Sequence, residues 1–227
     1  MDRRHYLQAV ATAGVTGVAG CLDGLSETDD GKTVLEPPAQ DLSAASHPSY
    51  GDELPELELP DPLTGESVST TQFEGERAVL LTFFYTNCPD GMCPALILRL
   101  RRSQEVAAAE GYDDDVAFLA MTFDPERDTA VELESYGVER GVDLEAGNWH
   151  YLRPDRYEDG ATVLTERFGL PLKKVDAEEY DHLEYVFPHY NLLLLVNERG
   201  IVERAYPNGA TVEVARVVAD VETVVTA

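Results

Sequence analysis

Three continuous apolar runs dominate the pattern of hydrophobic and polar positions along this chain. They cover residues 78–85 ("AVLLTFFY"), 116–123 ("VAFLAMTF") and 192–196 ("LLLLV"), and they are rich in strand-forming side chains. Runs of this length and composition are typical of strands whose two faces are both buried. The sequence therefore predicts three central strands.

Segments with a helical period lie between and after these runs. Behind the first run, apolar residues recur every three to four positions, and Pro94 suits the first turn of a helix. Arg99, Arg101 and Arg102 fall mostly outside this apolar stripe. Further helices are predicted at residues 128–141, 159–170 and 211–226, and a short strand at residues 149–154.

Alternation of strands and helices predicts an α/β fold with a mixed central sheet flanked by helices. Two short extended pieces around a turn at residues 61–65 predict an N-terminal β-hairpin extension. Cys88 and Cys93 lie where the first central strand passes into its helix, which is where a thioredoxin-like fold keeps its chemistry. We therefore expect a thioredoxin-like domain over residues 51–227.

The first residues have the pattern of an export signal. Arg3 and Arg4 precede a weakly apolar stretch that is too short to span a bilayer. The two arginines resemble a twin-arginine signal, and "VAGC" resembles a lipobox, in which the cysteine becomes the lipidated first residue. We expect residues 1–20 to be the signal, Cys21 to anchor the protein at the outer face of the cytoplasmic membrane, and residues 21–50 to form an acidic, flexible tether.

The composition gives the chain a large negative charge. The chain carries 43 acidic and 17 basic residues, a formal net charge of −26, and only three of the basic residues are lysines. Such a surface favours a protein kept soluble in concentrated salt. It argues against nucleic acid as a partner, because phosphates would be repelled.

Cys88 and Cys93, in "YTNCPDGMCPALILRL", are the candidate metal-binding or redox residues. At a helix start, exposed N–H groups and the helix dipole are expected to lower a thiol pKa and to favour thiolate. Thiolate is both a metal ligand and a redox nucleophile. Two soft sulfurs favour copper(I), with zinc as a rival, while export permits a disulfide. The cysteines alone leave both possibilities open.

His189 is the histidine best placed to complete a metal site. It stands just ahead of the third apolar run, and in a thioredoxin-like sheet the loop before that strand faces the loop after the first one. The sequence leaves two roles open for His189, that of a metal ligand and that of a structural histidine. The other four histidines fall in the signal, the tether, a predicted strand and a predicted surface or hairpin segment: His5, His47, His150 and His182.

Three segments resemble motifs of the Sco/SenC family of copper chaperones. They are "FFYTNCPDGMCP", "MTFDPERDTA" and "HYNLLLLVNERG", with "NWHYLRP" as a further family element. The resemblance covers residues 51–227. It implies a membrane-tethered thioredoxin-like domain that binds one copper ion, Cu(I) or Cu(II), and assists assembly of the copper centre of cytochrome oxidase, whose copper-bearing subunit would be the partner. It implies Cys88, Cys93 and His189 as the ligands.

Three aspartates accompany these motifs. Asp90 lies between the cysteines, and Asp124 and Asp128 belong to the second motif. We expect them to orient ligands or fix loops, and turn or helix-cap roles are equally open. The spacing departs from the family, since four residues rather than three separate the cysteines, and Gly91 could absorb the extra residue with a positive φ.

The alternative function is an extracytoplasmic thiol–disulfide oxidoreductase that uses Cys88 and Cys93 on the cysteines of another protein. Pro188 is compatible with it, because thioredoxin-like reductases have a cis-proline in this loop. His189 would then only tune the thiolate. Peroxide reduction is less supported, since no threonine-rich peroxidase segment precedes Cys88. A copper chaperone would be a binding protein rather than an enzyme.

Overall fold

The computed structural model describes residues 32–188 and 190–227. The predicted signal, the lipidation site at Cys21 and the candidate ligand His189 lie outside the described residues. Among the helices that are described, none is both long and apolar enough to cross a membrane.

The secondary structure alternates as the sequence predicts. In chain order the elements are β1 (Glu58–Pro60), β2 (Ser67–Ser69), β3 (Ala78–Phe84), α1 (Met92–Glu110), β4 (Val116–Thr122), α2 (Ala130–Glu139), β5 (Trp149–Leu152), α3 (Tyr157–Phe168), β6 (Val175–Asp176), β7 (Tyr185–Val186), β8 (Leu193–Val196), β9 (Val202–Tyr206) and α4 (Val214–Val225).

A five-stranded mixed sheet in the order β5-β4-β3-β8-β9 forms the centre of the domain. Strands β3, β4 and β5 are parallel, whereas β8 is antiparallel to β3 and β9 is antiparallel to β8. The three predicted apolar runs supply β3, β4 and β8, and every residue of these strands is buried. The predicted α/β class and mixed central sheet are confirmed.

Helices cover both faces of this sheet. Phe84 contacts Tyr136 of α2, while the adjacent Phe83 contacts Phe168 of α3. Because neighbouring side chains of a strand point to opposite faces, α2 and α3 lie on opposite sides. This explains why β3 is apolar throughout instead of alternating.

One edge of the sheet brings together three segments that are distant in the chain. Thr82 is opposite both Ala120 of β4 and Leu193 of β8. Strands β3 and β4 therefore end at the edge where β8 begins. We call this the ligand edge, because the cysteine loop (residues 85–91), the acidic motif (residues 124–128) and the segment before β8 all meet there.

Two hairpins stand outside the central sheet. The predicted N-terminal hairpin is present, with Leu59 of β1 opposite Val68 of β2. A second hairpin spans residues 175–186, where the sequence left a surface segment and a hairpin both open. It pairs only Val175 with Val186 and Asp176 with Tyr185, and His182 lies in its connection.

Residues 32–50, which the sequence analysis assigned to the tether, lie against the domain. The backbone N–H groups of Val34 and Leu35 donate to the carboxylate of Glu203 in β9, at 2.8 and 2.9 Å. Leu35 and Ser49 are buried. The contacts of the domain therefore include residues ahead of the boundary expected at residue 51.

Candidate metal centre

The cysteine loop places two thiols at the start of α1. Cys93 is in the first turn of the helix and is completely buried, whereas Cys88 lies on the loop and is partly buried. No disulfide joins these two described cysteines. The backbone N–H of Cys93 donates to Sγ of Cys88 at 3.4 Å. The fold thus turns one backbone donor of the first turn of α1 towards the partly buried sulfur of Cys88.

Gly91 makes the turn from this loop into the helix. Its φ is +77°, in the left-handed region, immediately before Met92 starts α1. Nothing lies within 4 Å of the position that a Cβ would take, so the backbone angle rather than lack of space calls for glycine. The positive φ predicted for Gly91 is confirmed, and it shows how a four-residue spacer still delivers Cys93 to the helix.

Asp90 lies against the sulfur of Cys88. The Cys88 thiol donates to Oδ1 of Asp90 at 2.9 Å, and the same oxygen accepts the backbone N–H of Met92 at 2.9 Å. The second hydrogen bond forms an Asx turn that holds the carboxylate at the helix start, where Gly91 is the N-cap residue. Asp90 therefore combines the turn role and the ligand-contacting role that the sequence left open.

Burial raises the pKa of the Cys93 thiol well above its ordinary value, and the hydrogen bond with Cys88 raises it further. For Cys93 the expectation of a lowered pKa is wrong. The helix start is buried here, and loss of hydration outweighs the dipole. Cys93 is therefore protonated at neutral pH, and a metal that binds through it displaces a proton.

Asp128 connects the acidic motif to the cysteine loop. It is fully buried, and its carboxylate accepts the backbone N–H of Thr86 at 3.2 Å and the hydroxyl groups of Thr86 and Thr122. Thr129, not Asp128, caps α2. These contacts favour the loop-fixing role for Asp128. The residue that it holds, Thr86, lies two positions before Cys88.

Asp124 and Arg127 bind the segment that leads to His189. The Tyr185 hydroxyl donates to Asp124 at 2.9 Å, and Arg127 Nε donates to the same carboxylate. Arg127 also donates to the backbone oxygen of Tyr185 at 3.0 Å, and its guanidinium lies 3.8 Å from the centre of the Tyr185 ring. Lys174 Nζ lies 3.6 Å from the centre of that ring. No pattern in the sequence singles out Arg127 and Tyr185 as positioning residues.

An aromatic cluster joins the three segments of the ligand edge. Phe187 makes edge-on contacts with Tyr85 at 5.2 Å and with Phe123 at 5.4 Å between ring centres. Tyr85 follows β3, Phe123 follows β4, and Phe187 is two residues from His189. The aromatic residues at the ends of the first two apolar runs were the available signal for this cluster.

The described histidines lie in other places. His150 Nδ1 is 3.3 Å from a carboxylate oxygen of Asp61, under the N-terminal hairpin. His47 contacts the backbone oxygen of Pro48, and His182 is near the ring of Tyr180. Within residues 32–188 and 190–227, no three His, Cys, Asp or Glu side chains form a group that could hold a metal ion.

The donor set at the ligand edge nonetheless fits a soft metal. Cys88 and Cys93 offer two sulfurs, which suit copper(I), and the segment carrying His189 is bound beside them through Phe187. The peptide bond between Phe187 and Pro188 is trans, unlike the cis bond of the thioredoxin-like reductases considered above.

Comparisons with solved structures agree with this architecture. A SCO1/SenC family lipoprotein from Bacillus anthracis is 19% identical, with a TM-score of 0.60 over 76% of this chain and 94% of that one. BsSco, described as a member of the Sco family of cytochrome c oxidase assembly proteins with a disulfide switch, is 21% identical, with a TM-score of 0.59 over 78% and 96%. ScoI of Bradyrhizobium japonicum, solved with copper bound, is 23% identical, with a TM-score of 0.54 over 78% and 99%.

These structures have the thioredoxin-like fold, and they confirm the predicted fold class. A search of curated proteins finds no match. The family model for SCO1/SenC matches residues 59–226, from β1 to the end of α4. The matched region contains the cysteine loop, the acidic motif and the segment before β8. This chain therefore belongs to the SCO1/SenC family.

Proposed function

We propose that this protein is a copper chaperone that holds one copper ion through Cys88, Cys93 and His189 and serves assembly of the copper centre of cytochrome oxidase. The observation that carries the proposal is the pair of thiols at the start of α1, at the edge where the segment before β8 docks through Phe187. ScoI of B. japonicum, which binds copper, and BsSco, an oxidase assembly protein, support it.

The two thiols differ in a way that suits transfer of a cargo ion. Cys88 is partly exposed, so an incoming donor or the receiving oxidase subunit can reach its sulfur. Cys93 is buried and releases its proton when it binds the ion. The pair thus offers one accessible sulfur for exchange and one protected sulfur for retention.

We propose further that the protein is exported and tethered to the outer face of the cytoplasmic membrane by a lipid on Cys21. The twin-arginine-like start and "VAGC" support this, as does the B. anthracis relative, which is described as a lipoprotein. Mass spectrometry of the protein from membranes tests it. A chain beginning at lipid-modified Cys21 is expected, and an intact chain beginning at Met1 would exclude the anchor.

A copper(I) titration of the reduced, full-length protein tests the ligand assignment. The parent should bind one equivalent. His189→Ala should weaken binding by more than about 100-fold, because loss of a ligand costs at least as much as loss of a residue that orients one. His182→Ala is the matched control and should bind like the parent. Equal affinities of the two histidine variants would exclude His189 as a ligand.

A thiol–disulfide oxidoreductase is the second candidate, favoured by the pairing of a partly exposed cysteine with a buried one. The Cys88 thiolate would attack a partner disulfide and form a mixed disulfide, releasing one partner thiolate. Cys93, after loss of its proton, would attack the Cys88 sulfur and release the second partner thiolate. The partner gains two electrons and, after protonation, two protons, and the Cys88–Cys93 disulfide forms.

The two candidates differ in their dependence on His189. Reduction of a protein disulfide should survive His189→Ala, whereas Cys93→Ala should leave the mixed disulfide on Cys88. If the parent reduces disulfides but binds no copper, the oxidoreductase replaces the chaperone. If copper binding depends on His189 and disulfide reduction is absent, the copper chaperone is the function and the oxidoreductase is excluded.

A further inference from the structure

Asp90 has a contact that its Asx turn at the helix start does not require. Its Oδ1 lies 2.9 Å from the Cys88 sulfur, although the oxygen already accepts the Met92 N–H. Asp90 is exposed on the cysteine loop, so a charged carboxylate at this position is not imposed by packing. The loop turns at Gly91 with a φ of +77°, and this turn keeps the carboxylate beside the sulfur.

We propose that Asp90 is an oxygen ligand that the site uses for copper(II) and not for copper(I). Among the described residues, Cys88, Asp90 and Cys93 do not form a three-ligand group, so the cysteine loop must draw together around copper(II) when the ion binds. This inference rests on the proposed copper-binding function. Asp90, one of the four residues between Cys88 and Cys93, would thus let the site distinguish copper(I) from copper(II).

The spacing of the two atoms supports a shared ion. Two adjacent ligands of one metal, at bond lengths of about 2.3 Å to sulfur and about 2.1 Å to oxygen and an angle near 90°, are roughly 3.1 Å apart. The 2.9 Å between Cys88 Sγ and Asp90 Oδ1 is close to this value. An angle near 90° belongs to the tetragonal geometry of copper(II), and a tetrahedral site would place the two atoms further apart.

The preference of each oxidation state for donor type points the same way. Copper(I) is soft, and two thiolates with an imidazole satisfy it, whereas copper(II) prefers nitrogen and oxygen donors in a square arrangement. Charge adds to the difference. Two thiolates give copper(I) a net charge of −1, which repels a carboxylate, but they only neutralise copper(II). The Asp90 carboxylate should therefore stabilise bound copper(II) and have only a small, slightly unfavourable effect on bound copper(I).

Asp90→Asn separates the ligand role from the role in the Asx turn. Asparagine keeps an oxygen that can accept the Met92 N–H, but it removes the carboxylate charge. Asp114→Asn is the matched control. It makes the same change of charge on an exposed residue of the turn Asp113–Asp115, which precedes β4 at the opposite edge of the sheet.

The test compares the full-length parent and both variants, reduced under anaerobic conditions. Copper(I) affinity is measured against bicinchoninate, copper(II) affinity against nitrilotriacetate, and the copper(II) environment by electron paramagnetic resonance. Asp90→Asn should lower copper(II) affinity about 10- to 100-fold, keep copper(I) affinity within about threefold, and alter the copper hyperfine splitting. At 59 mV per tenfold for one electron, the midpoint potential of the bound couple should rise by about 60–120 mV. Asp114→Asn should match the parent.

Three results would overturn the inference. An unchanged resonance spectrum and copper(II) affinity in Asp90→Asn would show that the carboxylate is not a ligand. An equal loss of affinity for both oxidation states would show that Asp90 only shapes the loop. A parent that binds neither form of copper would remove the proposed function as well, and this failure is recognisable because it is seen before any variant is compared.

Discussion

At the scale of single residues, Asp128 shows what burial does to a carboxyl group that fixes a loop. Burial raises its pKa from the ordinary 3.8 to about 6, although hydrogen bonds from Thr122 and Thr86 favour the charged form. The folded protein therefore binds this proton more tightly than the unfolded chain does. The contribution of Asp128 to the free energy of unfolding is largest when the group is protonated, and it falls as the pH rises through about 4 to 6.

Asp128→Asn should remove this pH dependence. Asparagine can accept from Thr86 and donate to the Thr122 hydroxyl, so the loop keeps its hydrogen bonds. We expect the variant to gain about 1–2 kcal/mol of unfolding free energy relative to the parent between about pH 5 and pH 7.5. Urea unfolding of both proteins at each pH measures this, and the comparison cancels the other ionisable groups. A difference that stays constant over this range would refute the assignment.

Residue chemistry was predictable only where it follows from the local sequence. The positive φ of Gly91 follows from the spacing between the cysteines, because only glycine adopts it readily. The raised pKa of Cys93 could not be predicted in the same way. It depends on how completely the helix start is covered, and buried residues from other elements of the core decide that.

At the scale of elements, long apolar runs were easy to assign and short elements were not. Strands β3, β4 and β8 are buried on both faces, so their composition identifies them. Strands β6 and β7 have two residues each, which is too few for a period to appear. Their hairpin is instead fixed by Asp124 and Arg127, which lie about 60 positions earlier in the chain.

Arg99 is a second case in which a distant contact decides the outcome. Its charge and its place beside the apolar stripe of α1 predict exposure, yet it is buried. Its guanidinium donates to the backbone oxygens of Val212, ahead of α4, and of Ala95. Arginine has five donors and can satisfy several carbonyls at once. The packing of α4 against α1 therefore determines the environment of Arg99, and the helical period of α1 does not contain that information.

The hairpin before β8 gives a prediction at this scale. Arg127→Gln removes the guanidinium that bonds Asp124 and stacks on Tyr185, so the segment leading to His189 should be held less firmly. We expect a fall in copper(I) affinity of about 3- to 10-fold at unchanged stoichiometry. Faster amide hydrogen exchange in the hairpin should accompany it, while the amides of β3 and β4 stay protected.

Arg156→Gln is the matched control for Arg127→Gln. Arg156 forms an exposed ion pair with Asp159 at the start of α3, a type of pair that contributes little to stability. This variant should keep parental copper affinity and hairpin exchange. If the two glutamine variants behave alike, the acidic motif does not position the histidine segment.

At the scale of the whole molecule, 43 acidic residues outnumber 17 basic ones and give a formal net charge of −26. Arginines such as Arg99 and Arg153 bind backbone oxygens instead of surface acids: Arg99 donates to Val212, and Arg153 to Asp128 and Pro125. Described ion pairs such as Arg102–Glu105 and Arg156–Asp159 have both members exposed. Repulsion among the remaining carboxylates opposes the compact state.

Salt should therefore stabilise the reduced, copper-free protein. Raising potassium chloride from about 0.01 M to about 1 M shortens the Debye length from about 30 Å to about 3 Å, which screens most of the repulsion between exposed charges. We expect the melting temperature to rise by roughly 5–15 °C, which corresponds to a few kcal/mol for a chain of this size.

The pH dependence of this salt effect identifies its cause. Near the sequence pI of about 4.3 the net charge vanishes, so screening has little repulsion to remove and the gain in melting temperature should shrink. Salts also strengthen the burial of apolar surface by exclusion from the protein, and that effect does not follow the net charge. Melting curves at low and high potassium chloride, recorded at about pH 5 and about pH 7.5, separate the two. A gain of equal size at both pH values would attribute the stabilisation to salt exclusion, and a gain that is larger at the higher pH would attribute it to the charge of −26.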